Sequence, residues 1–305
     1  MHFPKTPNIH QYADNKQLVK HGPLSKHGHD VPDIMLKYGR KRSLIPQRLP
    51  VIKDLIRSLH ESKISYKSLA NNPIKGKRHI DEATLSSLRQ MIIDLDCHAI
   101  GFTKVDPSLI FINKGILYSN AIVITMEMQA DKMDTAPSKA CVKEVFRTYK
   151  ELGIIVNKVA HYLRQAGFSA QAGPAIGGDT NYPLLAQKAG LGHLGRHGLL
   201  ISPKVGPRQR IAVIYTDIDN LPFTDSLSKE HDWIEAFCQR CRRCQRACPA
   251  NAIYDKIKLA SDGSKQHIDY KKCALPFSSN YGCSVCIKAC TFNSQDYDTI
   301  KKKMD

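Results

Sequence analysis

CQRCRRCQRACP, residues 238–249, sets four cysteines as Cys238-x2-Cys241-x2-Cys244-x3-Cys248 with Pro249 behind them, and Cys273-x9-Cys283-x2-Cys286-x3-Cys290 follows. Eight of the ten cysteines therefore lie in the last third of the chain. This is the spacing of a bacterial-ferredoxin-like module with two 4Fe-4S clusters, in which the fourth cysteine of each run crosses to the other cluster. The pairing that follows is Cys238, Cys241, Cys244 and Cys290 on one cluster, with Cys248, Cys273, Cys283 and Cys286 on the other. Zinc also uses Cys-x2-Cys, but it gives no reason for the proline or for Cys-x3-Cys in both halves. Disulfides suit a secretory context, and no such signal precedes these runs. The chemistry implied is transfer of single electrons.

A length of 305 residues allows one large core beside that module. No run of eighteen apolar residues is present, so no membrane span is expected. The first residues, MHFPKTPNIH, have neither an apolar signal core nor a twin-arginine leader, and the expected location is cytoplasmic. The 45 Lys and Arg against 28 Asp and Glu give +17, and residues 1 to 80 hold 16 basic against five acidic side chains, or +11 of it. Such a field attracts an acidic ferredoxin, a flavodoxin or RNA, or is a solvated basic surface.

Residues 1–48 mix Pro, Gly, His and Lys without periodicity, as an extended arm would. Val51, Ile52, Leu55, Ile56 and Leu59 recur at helical spacing, and a second helix begins near Asp81. Residues 98–102, 121–126 and 210–216 are short apolar, β-rich runs. Between the last two, a long helical pattern from Val142 to Ala166 stops at Gly167. Strands alternating with helices indicate an α/β sheet. The expected division is a basic arm and helix over 1–80, an α/β domain over 81–228, and the two-cluster domain over 229–305.

The middle of the chain resembles the cobalamin-dependent reductive dehalogenases, with the epoxyqueuosine reductases as distant relatives. The resemblance rests on ordered blocks: AIVITMEM at 121–128, the Ala136-Pro137-Ser138 turn, Tyr149 on a helix ending YLRQAGFSA, AGLGHLGRHGLLISPKVGPRQR at 189–210, then YTD, then the cysteine runs. It implies an α+β nitroreductase-like domain holding base-off cobalamin, with the clusters passing electrons to cobalt for reductive cleavage of a small organic, halogenated substrate. By position it makes Tyr149 the proton donor and Arg210 its partner cation. A tyrosine ionises near pH ~10 unless a cation stabilises the phenolate, and arginine keeps its charge when buried.

Gly190, Gly192, Gly195 and Gly198, with Arg196 among them, would let the backbone approach a flat cofactor, or simply form a tight turn. They are not a dinucleotide fingerprint, because the loop precedes an apolar strand instead of opening a helix. The family's asparagine before the glycine block is missing; Asp179 and Asn181 are near but out of register, which leaves the halogenated substrate open. Few residues follow Cys290, so the arm or a partner is expected to close the cavity.

Three other readings stay open. Asp96-Cys97-His98-Ala99-Ile100-Gly101 fits D-x-H-x-x-G, a pattern that places a histidine on cobalt, although here it should be the first strand. An enzyme acting on tRNA, like the epoxyqueuosine reductases, would use the positive charge for phosphates. A two-cluster electron carrier without cobalamin would need no proton donor. Cys97 and Cys141 read as small buried hydrophobes, and Trp233 as packing the module on the larger domain.

Overall fold

The computed structural model describes residues 8–12, 18–20, 31–40, 49–224, 229–259 and 265–304. Much of the 1–48 arm, and the expected boundary near 228, lie outside the described residues. The described strands are β1 (Val19–Lys20), β2 (Ala99–Lys104), β3 (Gly115–Ile116), β4 (Asn120–Glu127), β5 (Ala170–Ala172), β6 (His193–Leu194), β7 (Leu200–Ile201), β8 (Gln209–Thr216), β9 (Ile253–Leu259) and β10 (Lys265–Ile268).

Four of them form the central sheet in the order β2-β4-β8-β5. Every pairing is antiparallel, from Ala99 opposite Thr125 to Glu127 opposite Gln209. The expected mixture of helix and sheet is present, on the α+β side: helices alternate with strands in sequence, yet the pairs of this sheet are all antiparallel. β4 joins β2 and β8 through a pleat whose residues alternate between faces. Ile122, Ile124 and Met126 enter one core with Ala212 and Ile214, while Ala121 and Val123 enter another with Val213 and Tyr215. Burial on both faces explains why these strands read as continuous apolar runs.

The helix Lys139–Gln165 covers the first face through Leu152, Ile155, Val156, Val159 and Leu163. Ser138 caps it by accepting the Cys141 backbone N–H at 3.1 Å. Gly167, at φ +89°, supplies the left-handed turn that ends it. The shorter helix Tyr182–Lys188 covers the opposite face through Leu185 and Ala186.

Two pieces of the arm are held on this body. β1 pairs with β3. The helix Val31–Tyr38 lies on the helix Tyr270–Ser279, where Tyr38 meets Tyr270 edge-on at 5.7 Å and the Arg40 N–H donates to Ser278 Oγ at 2.8 Å. The helix Ile52–Lys67 packs on the long helix and carries Tyr66, whose hydroxyl donates to the buried Asp179 carboxylate at 2.6 Å. Gln171 donates to the other carboxylate oxygen at 3.3 Å. Asp179, noted in the sequence as out of register, is thus taken up inside the protein.

Candidate redox site

The two cysteine runs fold as a repeat. Arg242, after Cys241, and Ser284, after Cys283, share a left-handed conformation, with φ 53° and 58°. Each opens a short helix, Arg243–Ala247 and Val285–Lys288, followed by an extended cysteine: Cys248 directly, and Cys290 after Ala289. The repeat brings the eight thiols close to one another inside the module. Burial, and then the neighbouring Cys238, Cys244 and Cys241, push the Cys290 thiol well up. Burial pushes the Cys273 thiol up to about 11, with Cys248 and Cys283 adding to it. Cys286 is raised by burial and then by Cys273, Cys283, Cys244 and Cys248, which puts the two groups side by side. Among the described residues no three His, Cys, Asp or Glu side chains converge as a single-ion site; a four-iron cube spreads its thiolates further apart than one ion does.

Two further observations fit a cluster at each group. At the first, Cys238, Cys241, Cys244 and Cys290 border one small cavity with His197. His197 is 4% exposed, and its Nδ1 accepts the Leu199 N–H at 3.1 Å, which leaves Nε2 as the protonated nitrogen, buried and without a partner. Burial, then the neighbouring His267, pushes this imidazole down to about 4, so it is neutral. At the second group, Tyr281, Gly282, Cys283 and Ser284 all have positive φ, between 46° and 75°. Four consecutive left-handed residues are costly for side-chain-bearing positions, and such strain gathers where a ligand or site demands it.

That left-handed turn is also one wall of a cavity of about 370 Å³. Phe277, Tyr281 and Ser284 face it from the cysteine module, Val145 and Tyr149 from the long helix, and Gln209 and Arg210 from the start of β8. Met35, on the arm helix, reaches it too. The Arg210 guanidinium carbon stands 4.8 Å from the centre of the Tyr149 ring, and Arg210 Nε is buried without a partner. Tyr149 and Cys286 pack on one apolar cluster of Met128, Met133, Cys141, Val145 and Ile287. The cavity thus lies between the tyrosine–arginine pair and the second cysteine group. Its walls are mostly apolar, with a few polar groups, as small-molecule sites are. An apolar pocket with one orphaned donor suits a flat macrocycle edged with amides.

The glycines expected at the cofactor do not border this cavity. A Cβ on Gly192 would sit 2.1 Å from Ile201 O, and one on Gly195 2.6 Å from Ile201 Cδ1. The loop turns tightly on its own hairpin, β6 paired with β7. Gly190 meets Thr224, and Gly198 meets His267. Arg196 is buried and donates to the carbonyls of Cys238, Tyr254 and Asp255, fixing the first cysteine run to the glycine loop. His98 stands at the entry to β2 with Nε2 3.1 Å from Thr125 Oγ1 and is not among the cavity residues. Cys97 and Cys141 are buried. Trp233 packs on Phe237, Phe292 and Tyr297, mainly inside the cysteine module, with Ile201 as the contribution from the larger body. The β9–β10 hairpin between the cysteine runs had no signal that the spacing could reveal.

Residues 231–254 match the 4Fe-4S binding domain family. A tetrachloroethene reductive dehalogenase of Desulfitobacterium hafniense is 34% identical over 193 residues, 59% of this chain and 34% of that protein. An epoxyqueuosine reductase of Lactococcus garvieae is 21% identical over 249 residues, 68% of each. Among solved structures, a catabolic reductive dehalogenase in complex with 3-bromo-4-hydroxybenzoic acid superposes with a TM-score of 0.72 at 19% identity, over 95% of this chain and 45% of that one. A reductive dehalogenase described with a mechanism for B12-dependent dehalogenation gives 0.70 at 19%, over 100% and 45%. In fold, and in the cysteine motif at 231–254, the chain is similar to these iron–sulfur reductases. More particularly, the chain is reductive-dehalogenase-like, with the epoxyqueuosine reductases more distant. It spans about a third of the length of the curated dehalogenases it matches first. Among the described residues no helix is long and apolar enough to cross a membrane.

Proposed function

We propose that this chain is a reductase that holds two 4Fe-4S clusters and a base-off corrinoid, and cleaves a bond to a leaving group, carbon–halogen or similar, in a small organic substrate. The observation that carries this reading is Arg210 over Tyr149 at a cavity whose opposite wall is the left-handed turn through Tyr281, Gly282 and Ser284, the turn that carries Cys283. Cys238, Cys241, Cys244 and Cys290 would hold one cluster, and Cys248, Cys273, Cys283 and Cys286 the other. The B12-dependent chemistry described for a solved neighbour supports the corrinoid.

When bound, the clusters supply electrons singly and the corrinoid supplies a cobalt that takes two-electron chemistry to the substrate. The chain's own part is to orient, to exclude water and to deliver a proton. Val145, Phe146 and Leu199 line the cavity with apolar surface, which strengthens any charge interaction inside it. Tyr149 gives its phenolic proton to the carbon from which the leaving group departs. The negative charge left on the ring meets the Arg210 cation already placed above it, so little reorganisation is needed. Arg210 Nε is free to donate to an amide of the corrinoid edge or to the departing anion.

The test is anaerobic loading of the protein with iron, sulfide and cobalamin, followed by metal analysis and electron paramagnetic resonance. About eight irons and one cobalt, with a base-off cob(II)alamin signal, are expected. Nitrogen splitting on that signal would move the ligand role to His98. About eight irons without retained cobalt would overturn the enzyme reading in favour of a two-cluster electron carrier.

A further inference from the structure

We infer that an acidic one-electron carrier, of the ferredoxin class, docks on an arginine collar around Cys241 and delivers electrons there. The inference rests on the two-cluster reading, since the collar surrounds the first cysteine group.

Each gap in the first cysteine run carries arginine. Arg240, Arg242, Arg243 and Arg246 fall within residues 238–249, which hold no acidic residue. All four side chains are exposed. Arg240, Arg243 and Arg246 border one shallow surface hollow with Cys241 and Lys303, and Arg246 donates to the Cys241 carbonyl at 3.0 Å. Lys302 and Lys303 are exposed on the terminal segment beside it. Of the acids near this face, Asp255 pairs with Arg242 at 2.8 Å, and Asp296 caps the last helix, which also carries the exposed Asp298. The remaining cations project around a cysteine that is itself half-exposed, whereas Cys244 and Cys290 of the same group are buried.

Exposed arginine is inexpensive on a surface, but four in twelve residues around redox ligands have a local consequence. Like charges this close repel, and a complementary acidic surface relieves that repulsion while steering encounter. The collar borders the surface hollow at Cys241 of the first group, while the turn that carries Cys283 of the second group lines the Tyr149 cavity through Tyr281, Gly282 and Ser284. Electrons would enter at one group and leave toward the cavity from the other. In the step itself the reduced carrier loses one electron and the oxidised cluster behind Cys241 gains it, with no bond formed and no proton moved.

The experiment uses the full chain loaded with iron and sulfide, and an acidic 2Fe-2S ferredoxin as the probe. Binding is measured by titration, and electron transfer by stopped-flow mixing with the reduced ferredoxin, at about 20 and about 200 mM salt. The Arg243→Glu/Arg246→Glu double variant is compared with the wild type, and dithionite titration checks that both take up the same number of electrons. The variant should bind ferredoxin and accept its electrons at least about tenfold more slowly at low salt, with a flatter salt dependence, while its dithionite uptake is unchanged. Equal ferredoxin binding and rates at both salt concentrations would overturn the docking site. A tRNA stem loop that displaces ferredoxin from the wild type and binds the variant weakly would overturn it as well, assigning the collar to RNA. Failure to take up iron would instead overturn the cluster reading beneath it.

Discussion

Arg210 holds its guanidinium over the face of Tyr149, 4.8 Å from the ring centre, across two elements that only the fold brings together: the long helix and the start of β8. The contact is with the ring, so Tyr149→Phe preserves it along with the packing on Phe146, whose ring lies 6.0 Å away. The substitution removes only the transferable proton. Metal content and corrinoid binding should stay at wild-type levels, while turnover falls by about 10²-fold or more, the usual range for loss of a positioned acid. Steady-state rates beside metal analysis test this, and full turnover in the loaded variant rules Tyr149 out as the acid.

The crossed pairing of the cysteines makes a prediction about iron that activity cannot confuse. Cys241→Ser and Cys290→Ser should each remove one cluster, and it should be the same one. The double variant then keeps about four irons, as each single variant does. Cys241→Ser combined with Cys286→Ser strikes both groups and should leave almost none. Uncrossed pairing would instead leave almost no iron in either double variant.

Glu144 ties the cavity helix to the end of β4. Its carboxylate, on a residue only 5% exposed, accepts the Gln129 N–H at 2.9 Å and pairs with Arg147 at 2.7 Å. Burial alone would raise its pKa, but the Arg147 and Gln129 hydrogen bonds outweigh it and the net direction is down. A carboxyl held lower in the folded state than in the unfolded chain stabilises fully above the unfolded value. That contribution is lost as pH falls below the ordinary carboxylate range toward the folded pKa. Glu144→Gln should therefore lower Tm at pH 7, by an amount equivalent to about 1–3 kcal/mol. The gap between the two proteins should shrink on acidification below pH ~4. A gap that is constant with pH excludes the ionised carboxylate as its source.

Different parts of this structure were legible in the sequence for different reasons. Cysteine spacing is short-range and chemically demanding, so the two thiol groups could be read from Cys238 to Cys290 without a fold. The core strands were legible because burial on both faces leaves unbroken apolar runs such as Ile122–Met126, yet strand direction is not encoded in such runs, and the sheet proved antiparallel. Tyr149 and Arg210 are about sixty residues apart, and nothing local marks either; block order supplied them. Met35 lies in a stretch without periodicity, and its approach to the cavity depends on a helix docked on Tyr270–Ser279. The meaning of the arginines between the cysteines depends on which side of Cys241 meets solvent, which only the packed module reveals.

The glycine loop shows where reading by residue type runs out. A glycine is required wherever something approaches its Cα closely or φ turns positive, and the sequence does not say whether that something is a ligand or the chain itself. At Gly192 both conditions hold: φ is +148°, and an added Cβ would fall 2.1 Å from the Ile201 carbonyl oxygen. Backbone cannot yield there as a flexible side chain would, so the hairpin must open. Opening it displaces Arg196, which donates to the Cys238 carbonyl at 3.2 Å. Gly192→Ala should therefore lower Tm in protein that carries no corrinoid, by the equivalent of about 2 kcal/mol or more, and reduce iron retention at the first cysteine group. Gly198→Ala, whose new Cβ would meet His267 Cβ at 3.2 Å, should do the same more mildly. Were the loop instead a corrin rim, both variants would keep the Tm and iron content of the wild type and lose only cobalamin affinity, so thermal melts and iron analysis before any cobalamin is added separate the two roles.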